Sequence, residues 1–120
     1  MPRDAPTAVA DDAAADKEVD YHCRRCDRLV TKGRWRIAVN DGHEHVVFNP
    51  AGLVFRVWCF KEAPGAAPVG EASDVFTWFR GFAWRVAVCQ GCGGHLGWMY
   101  EGEAAPEVFF GLIADSLEMK

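Results

Sequence analysis

From residue 35 to residue 117 the chain is a succession of short apolar runs broken by Gly, Pro, Asn and Asp, a pattern of strands and turns rather than helices. Residues 35–39 (WRIAV) alternate large apolar and other side chains and read as a strand. Asn40-Asp41-Gly42 follows, a hairpin signal because these residues tolerate the positive φ of tight turns, so residues 43–48 are expected to return as its partner. A second turn, Asn49-Pro50-Ala51-Gly52, leads into residues 53–60 (LVFRVWCF), a strand rich in β-branched and aromatic residues. Residues 61–74 hold two prolines and two glycines and are predicted to be the longest loop. Beyond it, residues 75–79 and 82–88 are expected strands about an Arg80-Gly81 turn, residues 96–100 another, and residues 101–107 a polar loop. The aromatics and Gly111 make residues 108–117 (VFFGLIADSL) a strand, although the length would also fit a helix. The expectation is an all-β fold.

The N-terminus breaks this pattern. Residues 1–19 are rich in Ala, Asp and Pro, too poor in apolar surface to offset the entropy of ordering, and are expected to be a disordered acidic tail. A helix over residues 8–18 would be marginal alone. Residues 20–120 then form one domain with a modest core. Residues 1–20 carry six acids and two bases, which accounts for the whole formal charge of −4. The neutral remainder offers no basic face to phosphates, so nucleic acid is not an expected partner. No apolar run approaches the roughly 18 residues of a membrane span, and the first residues lack the apolar core of a signal peptide. The expected setting is the cytoplasm, without membrane association, where thiols stay reduced.

Reduced cysteines in pairs point to metal. Cys23/Cys26 and Cys89/Cys92 are two C-x-x-C knuckles separated by 62 residues. Together they supply four thiolates for a closed tetrahedral site, so one structural Zn²⁺ per chain is expected, with no open position for catalysis. Iron would use the same ligands. His22 and His95 are spare candidates, and Arg24, Arg25 and Arg28 read as a solvated rim that offsets thiolate charge. Cys59 stands outside both pairs and reads as a small buried apolar residue. His43 and His45 share a strand face beside a turn, with no third ligand nearby, and read as surface residues.

The second knuckle lies inside an aromatic stretch that holds Trp78, Trp84 and Trp98, with Phe76 and Tyr100. Aromatic clusters in small β domains are usually core. Yet three indoles are hard to bury in so short a chain, and an open aromatic box can bind a flat or cationic ligand. Both readings stand on composition.

The run Thr77-Trp78-Phe79-x-Gly81-Phe82-Ala83-Trp84, then Ala87-Val88-Cys89-x-x-Cys92 and His95-Leu96-Gly97-Trp98, together with Asn49-Pro50-x-Gly52, resembles the thalidomide-binding (CULT) domain of the cereblon family over about residues 21–120. The resemblance is to a single-domain bacterial homologue, free of a Lon-like domain, an adaptor-binding helical bundle and ubiquitin-ligase machinery. It implies a β-tent: two antiparallel sheets pinned by the four-cysteine zinc. It also implies a tri-tryptophan cage for cyclic imides, with Trp78, Trp84 and Trp98 as walls, Tyr100 as floor, and Asn49 and Pro50 over the opening. Backbone groups of Phe76 and Trp78 would bond the imide edge, with Thr77 between them and Phe55 at the rim. Implied ligands are glutarimides of the thalidomide type, hydantoins, succinimides, uridine and peptide ends cyclised at Asn or Gln. Three positions depart from the family: Phe76 and Phe55 stand where the vertebrate protein has histidines, and Tyr100 where it has phenylalanine. Loss of the histidine bond at Phe76 would cost about 1 kcal/mol of affinity. The competing reading is an enzyme resembling methionine sulfoxide reductase B, a tent fold with the same cysteine pairs; it needs a low-pKa cysteine, and Cys59 is the one left over.

Overall fold

A computed structural model describes residues 19–120, so the expected tail, apart from Val19, lies outside the described residues. The described residues form two antiparallel sheets and no α-helix. The strands are β1 (Asp20–Cys23), β2 (Leu29–Lys32), β3 (Glu44–Phe48), β4 (Val54–Phe60), β5 (Ala66–Ser73), β6 (Phe82–Cys89), β7 (His95–Gly102), β8 (Val108–Ile113) and β9 (Leu117–Met119). The small sheet runs β2-β1-β9 and the large one β3-β4-β8-β7-β6-β5. No helix among the described residues is long and apolar enough to cross a membrane.

The all-β expectation holds, with four local corrections. Residues 35–39 are not a strand: a 3₁₀ turn covers Gly33–Trp35, and only isolated bridges, Arg36 to Phe60 and Val39 to Gly42, follow. The tight turn itself is there. Asn40 and Asp41 both have positive φ (52° and 68°), and Val39 and Gly42 exchange backbone bonds of 2.8 and 3.2 Å. The returning segment pairs with β4 instead, because five matched residues across the Asn49–Gly52 turn outcompete the short ladder on the other side. Residues 61–74 are not all loop, since β5 occupies their second half. Pro68 is tolerated there because β5 is a sheet edge, and the register slips between Val69 and Ser73. Residues 75–79 are turns, not a strand. Residues 108–117 divide into β8, a 3₁₀ turn at Ala114–Ser116 and β9, which crosses to the small sheet beside β1.

Register sorts the two cores. Opposed residues in antiparallel strands share a face. Trp58 opposes Leu112, and Phe60 opposes Phe110, on the face that meets the small sheet. There Phe60, Leu96 and Leu112 bury against Tyr21, Val30 and Leu117. On the other face Cys59 opposes Gly111, Gly111 opposes Trp98, and Tyr100 opposes both Phe109 and Trp84. Tyr100, Phe109, Phe79, Cys59 and Val39 form the second core, with Trp78, Trp84 and Trp98 half-buried over it. Each large side chain fully buried in these cores contributes roughly 1.5–3 kcal/mol. Gly111 is small for a reason: a Cβ there would lie 3.0 Å from the Tyr100 ring and 2.9 Å from Val57.

Candidate functional site

Two sites lie at different ends of the chemistry. The first is the cysteine cluster. Each knuckle caps a hairpin, β1–β2 or β6–β7, so that the first cysteine of each pair ends a strand and the second lies in the turn. Cys23 and Cys89 are buried, Cys26 and Cys92 exposed. The four Sγ atoms lie within 4.8 Å of one another, with 3.7 Å from Cys23 to Cys92 and 3.5 Å from Cys26 to Cys89. A tetrahedron of sulfurs about 2.3 Å from a central ion has edges of about 3.8 Å, so the set fits one ion. Gly91 N–H reaches Cys89 Sγ at 3.3 Å and Gly94 N–H reaches Cys92 Sγ at 3.4 Å, the outer support that thiolate ligands need.

The thiols also compete for charge. Burial opposes ionisation of Cys89, but the Cys92 and Gly91 amides and the neighbouring thiols outweigh it and bring it down to about 7. At Cys26 the Arg28 amide lowers the pKa, but the Cys89 contact and the other thiols raise it, to about 11 overall. Four adjacent thiols cannot all ionise unaided; a cation between them is what allows it. His22 and His95 are not in the cluster. His22 Nδ1 lies 2.8 Å from the Asp27 carbonyl and His95 Nε2 lies 3.0 Å from that of Gly97.

Cys59 is fully buried, and burial pushes its thiol up to about 12. It is the small apolar filler its strand position suggests, and no thiolate nucleophile forms there. His43 and His45 are half-buried rather than free on the surface. His43 stacks on Trp58, and Arg36 Nε donates to its Nε2 at 3.1 Å; the ring of His45 meets Phe79 edge-on and lies 3.0 Å from the Gly42 carbonyl.

The second site is a cavity of about 350 Å³ on the large sheet's other face, lined by Asn49, Pro50, Val75, Phe76, Trp78, Trp84, Val86, Trp98 and Tyr100. Register builds most of it: Trp84 opposes Tyr100 and Val86 opposes Trp98 on β6 and β7, so all four side chains share one face. Trp78 arrives from the loop before β6 and meets Trp98 at a right angle, centroids 4.8 Å apart. Its Nε1 donates to the Phe48 carbonyl at 3.0 Å, and Trp84 Nε1 donates to the Val75 carbonyl at 2.9 Å. Both indole N–H groups are thus occupied by backbone carbonyls. Tyr100 lies beneath, buried and stacked on Phe109 at 4.9 Å; burial, helped by Cys59, pushes its phenol well above the usual range.

Two expected residues are not in the lining. Phe55 packs on the walls, its ring 5.4 Å from that of Trp98 and 6.1 Å from that of Trp78. Thr77 turns away, its hydroxyl donating to the Phe79 carbonyl at 3.3 Å, and lines a separate polar depression with Asp74 and Arg80. Val75 and Val86 are lining residues that the sequence reading missed; Val86 was legible from its two-residue spacing to Trp84. Because residues 75–79 are turns, no ladder uses their backbone. Among the described residues neither Phe76 nor Trp78 makes a backbone–backbone hydrogen bond, and Phe76 sits at φ 55°, rare for an aromatic residue. Asn49 Oδ1 accepts the Leu53 amide at 2.9 Å and so fixes the Asn49–Gly52 turn over one side of the cavity.

No protein-family model matches the chain. Among curated proteins it is similar to protein cereblon of Drosophila virilis (42% identical over 118 residues, 90% of this chain and 18% of that protein). It is also similar to protein cereblon of Xenopus tropicalis (36% over 101 residues, 80% and 23%) and of Danio rerio (32% over 107 residues, 85% and 25%). The chain thus spans about a fifth of the length of these relatives. With that likeness, an all-β architecture of two antiparallel sheets and four cysteines gathered about one point, the chain is a cereblon-like domain.

Proposed function

We propose that this domain is a binding module for cyclic imides, with the cavity between Trp78, Trp84 and Trp98 as the cage and Tyr100 as its floor. The observation that carries the proposal is the cavity itself: three indole walls, two of whose N–H groups are already satisfied, beside a loop whose Phe76 and Trp78 backbone groups are left out of any sheet. A glutarimide is small and flat-sided with a donor flanked by two acceptors. Aromatic walls select its shape and exclude water, which makes the few edge bonds discriminating. In this reading the Phe76 and Trp78 backbone meets the imide N–H and a carbonyl, and Asn49 and Pro50 cover the opening. Hydantoins, succinimides, uridine and peptide ends cyclised at Asn or Gln share that edge and belong to the same ligand class. Phe76 offers no side-chain bond, so affinity is about 1 kcal/mol below that of a site with a donor there.

The ion in the cysteine cluster is proposed to be a single Zn²⁺ held by Cys23, Cys26, Cys89 and Cys92. When bound it cross-links the two knuckles, and the cytoplasm keeps its ligands reduced. The enzyme reading finds no support in Cys59, whose thiol burial pushes up to about 12, away from the low value a nucleophile needs.

The test is a titration with glutarimide followed by tryptophan fluorescence, beside its N-methyl analogue. The parent is expected to change the signal saturably, and the N-methyl compound, which loses the donor and adds a clash, to leave it unchanged. Equal responses to both, or none to either, would refute the cage.

A further inference from the structure

Beside the cysteine cluster lies a smaller cavity, of about 200 Å³, that holding an ion does not account for. Three stretches of chain meet there: the first knuckle brings Arg24 and Arg25, the approach to β7 brings Gly94 and His95, and the 3₁₀ turn before β9 brings Asp115 and Ser116. Cys23, Gly94 and Leu96 give it a buried base. Arg24 is fixed in place, its amide bonded to the Ser116 carbonyl at 3.0 Å and its Nη2 donating to the Leu117 carbonyl at 2.9 Å. Arg25 lies against Gly94, where a Cβ would come within 3.1 Å of Nη1 and 3.2 Å of Cδ, so the glycine leaves the room that this side chain takes. Among the described residues Arg25 nonetheless has no hydrogen bond or ion pair. The one acid of the lining, Asp115, pairs with Arg56 at 3.4 Å. Charge is left over. A divalent ion on four thiolates retains two negative charges, and Arg24, Arg25 and Arg28 bring three positive ones to the same turn. No carboxylate among the described residues pairs with any of the three, so the offset of thiolate charge does not use them all.

We propose that this cavity is a binding site for a phosphate group, held by the guanidiniums of Arg24 and Arg25 with the Ser116 hydroxyl beside them. A guanidinium offers parallel N–H donors that match two phosphate oxygens, and a pair of guanidiniums suits a doubly charged group better than a single carboxylate. The buried base keeps water from one side, which strengthens both contacts. At roughly 30 Å³ per water the space would take several waters, and it admits one tetrahedral oxyanion in their place. Free phosphate and a phosphate carried as an ester share this chemistry. The cavity shares no lining residue with the tryptophan cage, so the two sites fill independently.

The experiment titrates the full ¹⁵N-labelled chain with inorganic phosphate, with phosphoserine and with acetate, each beside sodium chloride of the same ionic strength. The amide signals of Gly94, His95 and Ser116 are expected to shift saturably with phosphate at a Kd of about 1 mM, to shift about tenfold more weakly with acetate, and to stay in place with chloride. Tighter binding of phosphoserine than of phosphate assigns the site to an ester-borne group, and the reverse order to the free anion. In Arg25→Gln, an exposed position, phosphate is expected to bind about tenfold more weakly, and in Arg25→Lys, which keeps the charge and loses the fork, by an intermediate factor; metal content and melting curve are measured on both variants. If chloride moves the same signals as phosphate, only screening is at work and the proposal is overturned. It is overturned equally if neither phosphate nor phosphoserine moves them, or if phosphate binds Arg25→Gln as it binds the parent.

Discussion

The cysteine end and the aromatic end both gather residues from distant parts of the chain, and they do it by different means. At the cysteine end every ligand sits on one of two hairpins, two per hairpin, with glycine amides holding the sulfurs. At the aromatic end Trp84, Trp98 and Tyr100 rise from adjacent strands in register, but Trp78 comes from a loop, and Asn49 and Pro50 come from the far hairpin. The cysteine cluster closes on itself: sulfurs 3.5 and 3.7 Å apart leave room for one ion. The aromatic end keeps a cavity open over a buried floor. One arrangement joins parts of a fold together, and the other holds parts of a fold apart. Removing a component from each end should therefore have opposite signatures, global at the first and local at the second.

The largest effect belongs to the cysteine end. Stripping the proposed ion with a strong chelator, or Cys89→Ser, is expected to abolish cooperative thermal unfolding near the native transition, because a domain of this size has only about 5–15 kcal/mol in hand and an ion on four thiolates would supply much of that. Circular dichroism melts with metal content measured in parallel check it. Unchanged melting in ion-free protein would show that the two hairpins hold together without the ion.

At the aromatic end Trp98→Ala should leave the proposed ion in place, remove the proposed imide binding and lower stability by about 2–4 kcal/mol, since the indole packs on Phe55, Trp78 and His95 but is only half-buried. Loss of the ion as well would mean that the two ends are one cooperative unit and that the contrast drawn between them is wrong.

What could be read from the sequence follows the same division. The knuckles were legible because both ligands of each pair are local, so spacing alone fixes their geometry, and the structure brings all four together. The strands of the large sheet were legible where apolar runs are long, as in β4, β6 and β7. The errors lie where tertiary pairing decides. WRIAV alternates like a strand but meets only isolated bridges, and the Pro- and Gly-bearing segment 66–73 became a strand because an edge tolerates them. The cavity was legible from periodicity only on β6 and β7: residues 75–79 look like a strand in sequence, and it is their failure to be one that delivers Trp78 and frees the backbone of Phe76. Phe55 and Thr77 were placed in the site by resemblance, and neither is a lining residue: Phe55 packs on Trp98 and Trp78, and Thr77 lines the polar depression.

Cys59 and Tyr100, under the cavity, give the aromatic end its own pH signature. The Cys59 thiol titrates near 9.0 when unfolded and is pushed up to about 12 in the fold, and the Tyr100 phenol is raised further. Above about pH 9 the unfolded chain releases protons that the folded one keeps, so stability falls with rising pH, by about 1.4 kcal/mol per pH unit for each such group while it is neutral only in the fold. Denaturant midpoints between pH 8 and 11 should decline accordingly. The slope should be shallower in Cys59→Ala, whose own loss of packing shifts the curve down without changing its pH dependence. Parallel curves for the two proteins would mean that Cys59 is not shielded as its burial implies.

The smallest effect tests how the loop wall is held. Trp78 Nε1 donates to the carbonyl of Phe48, at the end of β3 and just before the turn that carries Asn49 and Pro50, so one hydrogen bond joins the loop to the far hairpin. Phe48 can give that carbonyl because β3 is a sheet edge. Trp78→Phe keeps an aromatic face against Trp98 and deletes the donor along with part of the ring. The expected cost is about 1 kcal/mol, the net worth of one partly exposed bond, with faster amide exchange at Leu53 and Gly52, whose N–H groups bond within the Asn49 turn. Unchanged exchange at those two amides would mean that the turn is held by its own Asn49 bonds alone. The cavity would then be framed by the large sheet and the loop, with the hairpin as a bystander.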